Sequence, residues 1–263
     1  MMSDNQSKGE LRRQQIMQWL KQHGKITISE MMERFECSEA TARRDLDVLE
    51  RRRELIRTIG GAIFEGGSAV REIPFQEKKQ FLWLEKEAIA KKAAELVNEG
   101  DSVCLTGGTT TYLIAKELKQ KQGITVVTNA VNIAMELADC EGIQVVVIGG
   151  VLRNNSYELT GPLAEKVIQQ LNLEKVFMGI DGFSVTKGIT TYSELEAVTA
   201  RMLMERAEFT YAVFDHTKAG KASLFSVAPI QALSGIITNK QLPEDFEQVA
   251  LKHNVDIIIA GAD

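Results

Sequence analysis

The sequence predicts an α/β protein in two parts: a small helical head with a β-hairpin, then a larger, mainly parallel sheet covered by helices. Three observations carry this. The first 67 residues hold capped, amphipathic helical segments and a Gly-Gly hairpin signal. From Asp101 onward, short runs rich in Val and Ile alternate with helical segments, and a Gly- and Ser-containing stretch separates the two rhythms. The boundaries fall at residues 1–67 for the head, 68–87 for a linker and the start of a connecting helix, and 88–263 for the larger domain. A chain of 263 residues has room for two cores.

In the head, Leu11, Ile16, Trp19 and Leu20 recur at helical spacing in a first helix that stops at His23-Gly24. Thr27 stands three residues before Glu30, the capping-box arrangement, and the helix from about Glu30 is expected to turn Met31, Met32 and Phe35 inward. Phe35 to Ser38 makes a four-residue turn. Ser38 is a good N-cap for a third helix, Glu39 to about Arg52, with Ala42, Leu46 and Leu49 on one face and Glu39, Ala40, Arg43, Arg44 and Asp47 on the other. Leu55 to Ile59 and Ala62 to Phe64 flank Gly60-Gly61 as a hairpin. Helix, tight turn, helix and hairpin together read as a winged helix-turn-helix, with the helix-turn-helix at 26–45.

That layout nominates a set of nucleic-acid contacts. Arg43 and Arg44 sit in the first turns of the third helix, where a guanidinium can bond a guanine edge or clamp a phosphate. Ser38, Glu39, Ala40 and Thr41 lead that helix, whose free amides suit phosphate positioning. Arg51, Arg52, Arg53 and Arg57 extend the basic strip toward the hairpin. Each is also consistent with a solvated charged face; the company the arginines keep is what favours DNA. Bulk charge gives no help. The whole chain is −5, and residues 1–67 hold twelve Lys and Arg against eleven Asp and Glu, a balance of +1 that leaves −6 for the remainder. DNA contact must come from a local stripe.

Between the parts lies Glu65-Gly66-Gly67-Ser68, then Ile73-Pro74 and an amphipathic helix expected from about Gln76 to Val97. Strands are expected at 102–105, 124–128, 144–148, 176–180, 211–214, 235–238 and 255–259. Uninterrupted apolar strands separated by helices imply a parallel sheet buried on both faces, with ligands at the strands' carboxyl ends. There the sequence places Gly107, Gly108, Thr109, Thr110 and Thr111, a Gly/Thr loop opening a helix and suited to an anion. It lacks the Gly-Lys-Ser/Thr of a nucleotide P-loop. Further loops offer Thr128 and Asn129, Gly149 and Gly150 with Arg153, Asp181 and Gly182, Thr190-Thr191 with Glu194, and Asp215 with Lys218. These donors, acceptors and cations form the mix a polyol phosphate needs.

At 44% hydrophobic and 25% charged residues the composition is that of a globular domain, and no apolar run reaches the ~18 residues of a membrane span. A cytoplasmic protein without membrane contact is expected. Cys37, Cys104 and Cys140 form no C-x-x-C pair, so neither a disulfide framework nor a metal site is expected.

The stretch Ser38-Glu39-Ala40-Thr41-Ala42-Arg43-Arg44-Asp45-Leu46, with Ile56-Arg57 and Gly60-Gly61-Ala62, resembles the signature of the DeoR family of bacterial sugar-operon regulators. Cys37 stands where the family usually has Val, and Ala42 where it usually has Ile. The downstream half resembles that family's sensor domain, whose fold is similar to that of ribose-5-phosphate isomerase. The resemblance spans about Glu10 to Ala260. It implies a repressor of a carbohydrate-utilisation operon, bound to double-stranded operator DNA as a homodimer or homotetramer and relieved by a phosphorylated sugar, with no other cofactor. Thr106 occupies a position where the family commonly has Asp, and Thr238-Asn239 one where Thr-Asp is frequent. Two other readings stay open on the residues alone. One is a sugar-phosphate isomerase-like enzyme using Asp181, Glu194 or Asp215 as base beside Lys218; the other is a DNA-binding scaffold that has lost its ligand.

Overall fold

A computed structural model describes residues 8–23, 25–52, 55–58, 60–63, 72–79 and 81–261. Gly24, Arg53, Ile59, Phe64 and the 65–68 linker lie outside the described residues. The chain divides into two compact units, Met1–Ser68 and Ala69–Asp263.

In the first unit, α1 (Lys8–His23), α2 (Ile28–Arg34) and α3 (Glu39–Arg51) enclose a core of Ile16, Leu20, Met31, Ala42, Leu46 and Leu49. The capping box forms: Thr27 Oγ1 accepts from the Glu30 amide (3.1 Å) and Glu30 Oε2 accepts from the Thr27 amide (2.7 Å). The helix consequently starts at Ile28, two residues before Glu30. With seven residues it buries only the narrow Ile28/Met31 stripe, so Met32, one position and about 100° further round, is exposed rather than inward. Leu11 is likewise exposed, because the apolar core contacts of α1 begin only at Ile16. Ser38 caps α3 as expected, its Oγ accepting from the Thr41 amide at 3.3 Å.

The hairpin β2 (Ile56–Thr58) and β3 (Gly61–Ile63) gains a third strand, β1 (Lys25–Thr27), which the sequence reading missed in the three residues leading to the α2 cap. Gly61 faces Thr27 in this register, and a Cβ there would lie 2.0 Å from the carbonyl oxygen of Ile26. Backbone cannot give way as a flexible side chain can. Gly61→Ala is therefore expected to destabilise the head by about 1–3 kcal/mol. Gly60→Ala, where nothing lies within 4 Å, should stay within ~0.5 kcal/mol of the parent. Urea unfolding of the two variants tests this; equal stabilities would contradict the three-stranded packing.

The second unit is built on a seven-stranded sheet, every neighbouring pair parallel, containing β4 (Ser102–Leu105), β5 (Ile124–Thr128), β6 (Ile143–Val147), β9 (Leu173–Gly179), β12 (Ala207–Val213), β14 (Gly235–Thr238) and β15 (Asp256–Ile259) in the order β15-β14-β12-β9-β4-β5-β6. Each of the seven expected strands is present. On one face α5 (Trp83–Glu95), α6 (Thr109–Leu118) and α7 (Val131–Leu137) bury Ile89, Ala93, Ile114, Leu118 and Ile133. On the other, α8 (Pro162–Ile168), α9 (Glu194–Glu205) and α10 (Glu244–Lys252) bury Ile168, Leu203 and Phe246. The short strands β7 (Val151–Arg153) and β8 (Glu158–Thr160) pair as a hairpin, and β10 (Gly182–Ser184), β11 (Gly188–Thr191) and β13 (Phe225–Ala228) form a small antiparallel sheet. The strands expected from sequence include none of these segments.

The expected helix over 76–97 is broken. α4 (Phe75–Lys78) ends before α5 starts, and Leu82 between them has a left-handed φ of 48°. α4 is held by Phe75, whose ring meets Tyr112 and Tyr157 (centroids 5.7 and 5.4 Å) while its amide donates to Asn155 O. α5 instead packs along α6. Lys86 Nζ donates to the Lys78 carbonyl at 2.9 Å, satisfying one acceptor that the break leaves free.

Topology then fixes where a ligand can enter. From β4 the chain runs outward to β5 and β6, returns to β9 on the other side of β4, and continues outward through β12, β14 and β15. The loops after β4 and β9 thus diverge, and a crevice opens at their carboxyl ends. Close contact just below it is enforced by glycine: a Cβ on Gly179 would lie 2.9 Å from Gly107 O.

Candidate functional site

On the head, Glu39, Ala40, Arg43, Arg44 and Asp47 all face outward from α3, as the spacing predicts. Arg43 Nη2 rests on Glu39 Oε1 at 2.7 Å, a pair about half exposed on both sides. Arg44 and Arg51 are exposed and have no side-chain partner among the described residues. Arg52 is bound to Glu10 of α1 (2.7 Å), and with Arg13 it holds the Glu10 carboxyl down at about 2. Arg57 is partly buried, pairing with Asp47 (3.1 Å) and donating to Arg43 O (3.0 Å). It ties the hairpin to α3 instead of standing free.

The position that sequence reasoning passed over is Asp45. It is buried, and it receives Arg12 Nε at 2.5 Å and Arg13 Nη1 at 2.9 Å from α1. This double ion pair joins α1 to α3 beside the latter's outer face.

In the second unit the crevice gathers charged and polar side chains from many strand ends. The Gly107 amide and Asn129 Nδ2 both donate to Glu158 Oε1, at 3.0 and 3.1 Å. Gly108, at φ 143°, precedes α6, and Thr109, Thr110 and Thr111 form its buried first turn. Asp181 accepts from Lys78 Nζ (2.6 Å) and from Thr191 Oγ1 (3.1 Å). Thr191 Oγ1 also reaches Glu196 Oε2 (2.8 Å), and Arg153 spans Glu72 (2.5 Å) and Glu196 (3.3 Å). Asp215 accepts from the Thr217 amide (3.1 Å) and hydroxyl at the short helical turn His216–Lys218.

Burial works against charge here, and partners decide the outcome. Lys78 is raised despite burial because Asp181, Glu196 and Glu72 surround it. Burial opposes ionisation of Asp181 and Asp215, yet Lys78 with Lys218, and Lys218 with Lys86, hold them below the usual carboxylate range. Burial brings Lys86 down to about 8 even with Asp215 nearby. Burial, and then the charge of Glu196, push Glu158 well above its ordinary value.

The expected ligand residues therefore separate. Gly107, Asn129, Arg153 and Asp181 belong to this network, and Lys218 acts on Asp181 and Asp215. Thr128 spends its hydroxyl on Leu105 O (2.7 Å) and on the Ala130 amide. Gly150 and Gly182 make room for backbone and side-chain packing against Thr160 and Thr190, while Gly149 is exposed with open space beside it. Glu194 is exposed at the start of α9; two residues on, Glu196 is the buried one. Lys78, Lys86, Glu72, Glu158 and Glu196 were not singled out from sequence. The spacing Ser193-x-x-Glu196 signals a cap, and Ser193 does cap α9, but the Glu196 carboxyl is diverted to Thr191 and Arg153.

Buried side-chain atoms without a hydrogen-bond partner mark the same region. Apart from Thr238 Oγ1, those among the described residues belong to Asn129, Asn132, Arg153, Ser156, Thr160 and Glu196, on or facing the β7–β8 hairpin. Arg153 Nε and Glu196 Oε1 at least face each other as an ion pair at 3.3 Å; the others are costly unless something binds them. Among the described residues there is no group of three or more side chains suited to a metal ion, and no helix long and apolar enough to cross a membrane.

A head that displays a helix-turn-helix and wing, followed by an α/β unit with a polar crevice, defines a DNA-binding transcriptional regulator with a sensor domain. Comparison with known proteins gives the family. The model described as a DeoR-like helix-turn-helix domain matches residues 12–66, and that of the DeoR C terminal sensor domain matches 83–240. The chain belongs to the DeoR family of sugar-operon regulators. It is 32% identical to the transcriptional repressor AccR of Agrobacterium fabrum (95% of this chain, 97% of that one) and 31% to the repressor GlcR of Bacillus subtilis (94% and 95%). It is 28% identical to the glycerol-3-phosphate regulon repressor of Escherichia coli (92% and 95%). Ribose 5-phosphate isomerase A of Methanocaldococcus jannaschii is similar over 51% of this chain and 53% of that one, at 17% identity and a TM-score of 0.38. Family membership places the protein among regulators, and the isomerase reading falls with it.

Proposed function

We propose that this protein is a repressor of a carbohydrate-utilisation operon, acting as a homodimer or homotetramer in the cytoplasm. Residues 1–67 read double-stranded operator DNA, 68–87 connect, and 88–263 bind a phosphorylated sugar that releases the DNA. Arg43 and Arg44 enter the major groove. Ser38, Glu39, Ala40 and Thr41 set the helix against the backbone, and Arg51, Arg52 and Arg57 supply or position the flanking phosphate contacts.

The observation that carries the sensor reading is the coincidence of the topological crevice with the orphaned polar side chains. In this reading the phosphate lies against the first turn of α6, whose amides have no intrahelical acceptor. Gly107, Gly108, Thr109, Thr110 and Thr111 surround it. Asn129, Arg153, Asp181 and Glu196 read the polar substituents of the sugar, while Lys78 and Lys218 balance the charge. Thr128, Gly149, Gly150 and Gly182 shape the walls, and Glu194 stands at the rim. The relative that represses a glycerol-3-phosphate regulon supports a small phosphorylated polyol as the class.

The test pairs two measurements. A panel of sugar phosphates screened by thermal shift should contain one that stabilises the protein by about 2–3 kcal/mol at a hundredfold excess over Kd. The same compound should lower operator affinity by roughly 5–150-fold, an ordinary coupling of ~1–3 kcal/mol. Binding without any change in operator affinity would defeat the induction mechanism.

A further inference from the structure

Among the described residues, Glu158 is the carboxylate of the crevice that has no ion pair. Asp181 has Lys78, Glu72 and Glu196 have Arg153, and Asp215 is attracted by Lys218 and Lys86. Glu158 lies directly opposite Arg153 in the β7–β8 register, yet that guanidinium is turned to Glu72 and Glu196. What Glu158 has is two neutral donors on one oxygen, the Gly107 amide and Asn129 Nδ2, and Glu196 as its other close neighbour. Asn129 Oδ1 is a buried acceptor without a hydrogen bond, its residue only 1% exposed, and Glu196 Oε1 has only the Arg153 guanidinium, at 3.3 Å.

From this geometry we infer that the effector carries a cationic amine beside its phosphate, seated between Glu158 and Glu196 and directed at Asn129 Oδ1; the inference rests on the sensor reading above. An ammonium group offers three donors and one positive charge. That matches two carboxyls and one amide oxygen, with one charge too many on the protein. A neutral hydroxyl brings a single donor and no charge. A metal ion would need a third ligand of a kind that the described residues do not group there.

In the free protein a proton takes the amine's place. Burial and the neighbouring Glu196 charge push the Glu158 carboxyl up, toward its protonated form. Binding then exchanges one cation for another: the ammonium enters, Glu158 gives its proton to solvent, and no covalent bond of the ligand changes.

The experiment is calorimetric titration of the full chain with glucosamine 6-phosphate and galactosamine 6-phosphate, beside their hydroxyl and N-acetyl counterparts, in two buffers of different ionisation enthalpy. One of the amines is expected to bind about tenfold or more tightly than both its counterparts, a difference of ~1.4 kcal/mol, and to release protons on binding. Glu158→Gln, nearly isosteric, should abolish both the preference and the proton release while still binding the hydroxyl counterpart. If that variant does not fold, the preference of the unaltered protein for the amine over both counterparts decides. Equal binding of the hydroxyl or N-acetyl compound, or binding without proton release, overturns the amine inference and leaves the sugar-phosphate reading intact. Binding of none of the compounds removes the inference, whereas the sensor reading falls only if the wider thermal-shift panel is also silent.

Discussion

Replacing Arg43 and Arg44 together by alanine is expected to weaken operator binding by roughly 30-fold to 10⁴-fold, from about 1–3 kcal/mol per arginine. Both side chains stand on the outer face of α3 and contribute nothing to its core. Unfolding should therefore move by no more than ~0.5 kcal/mol. Arg43 begins in a pair with Glu39, but that pair is half exposed, so leaving it costs little. Arg44 has no side-chain partner to leave among the described residues. Fluorescence anisotropy on operator and scrambled duplexes across a salt series separates the roles. A base-reading arginine, once lost, flattens the preference for operator; a phosphate-binding one weakens both duplexes alike and lowers the salt slope by about one. Unchanged affinity in the double variant would remove α3 as the recognition helix.

What could be read from sequence followed from periodicity and local chemistry. The Thr27/Glu30 capping box, the Ser38 cap and the outward set on α3 are short-range features, and each took its expected geometry. The seven sheet strands were legible because burial on both faces leaves an unbroken apolar run. Strand order was not, since it depends on where β9 returns beside β4. The short strands β7, β8, β10, β11 and β13 have three or four residues each and no room for a period. The break between α4 and α5 escaped for a different reason: it is imposed by Phe75 docking on Tyr112 and Tyr157, rings far away in sequence. The crevice was half legible. Glycines, threonines and Asn129 announce strand ends, but Lys78 and Lys86 on a helix read as solvated charges, and Glu158 sits in a segment too short to show a period. Their burial comes from tertiary contacts that leave no local pattern.

Asp45→Ala should abolish operator binding as completely as the double arginine variant, by unfolding the head rather than by removing a contact. In sequence Asp45 looks like one more charge beside Arg43 and Arg44. In the structure it is 2% exposed, and it is the common anion of Arg12 and Arg13 across the α1–α3 contact. Removing it leaves the partly buried Arg12 guanidinium without its anion and Arg13 with Glu10 alone, over a cavity, and truncating one partner of a buried pair costs about 3–5 kcal/mol. A head of some 60 residues has roughly that much stability in all. Asp45→Asn keeps the shape and an acceptor oxygen but not the charge, so its loss should be smaller. Urea unfolding followed by circular dichroism distinguishes the two causes: Asp45→Ala should lose the head's transition while that of the larger domain stays in place, and the double arginine variant should keep both. A fully folded Asp45→Ala protein that fails to bind DNA would instead mean that Asp45 acts at the DNA surface, and not through the clamp between α1 and α3.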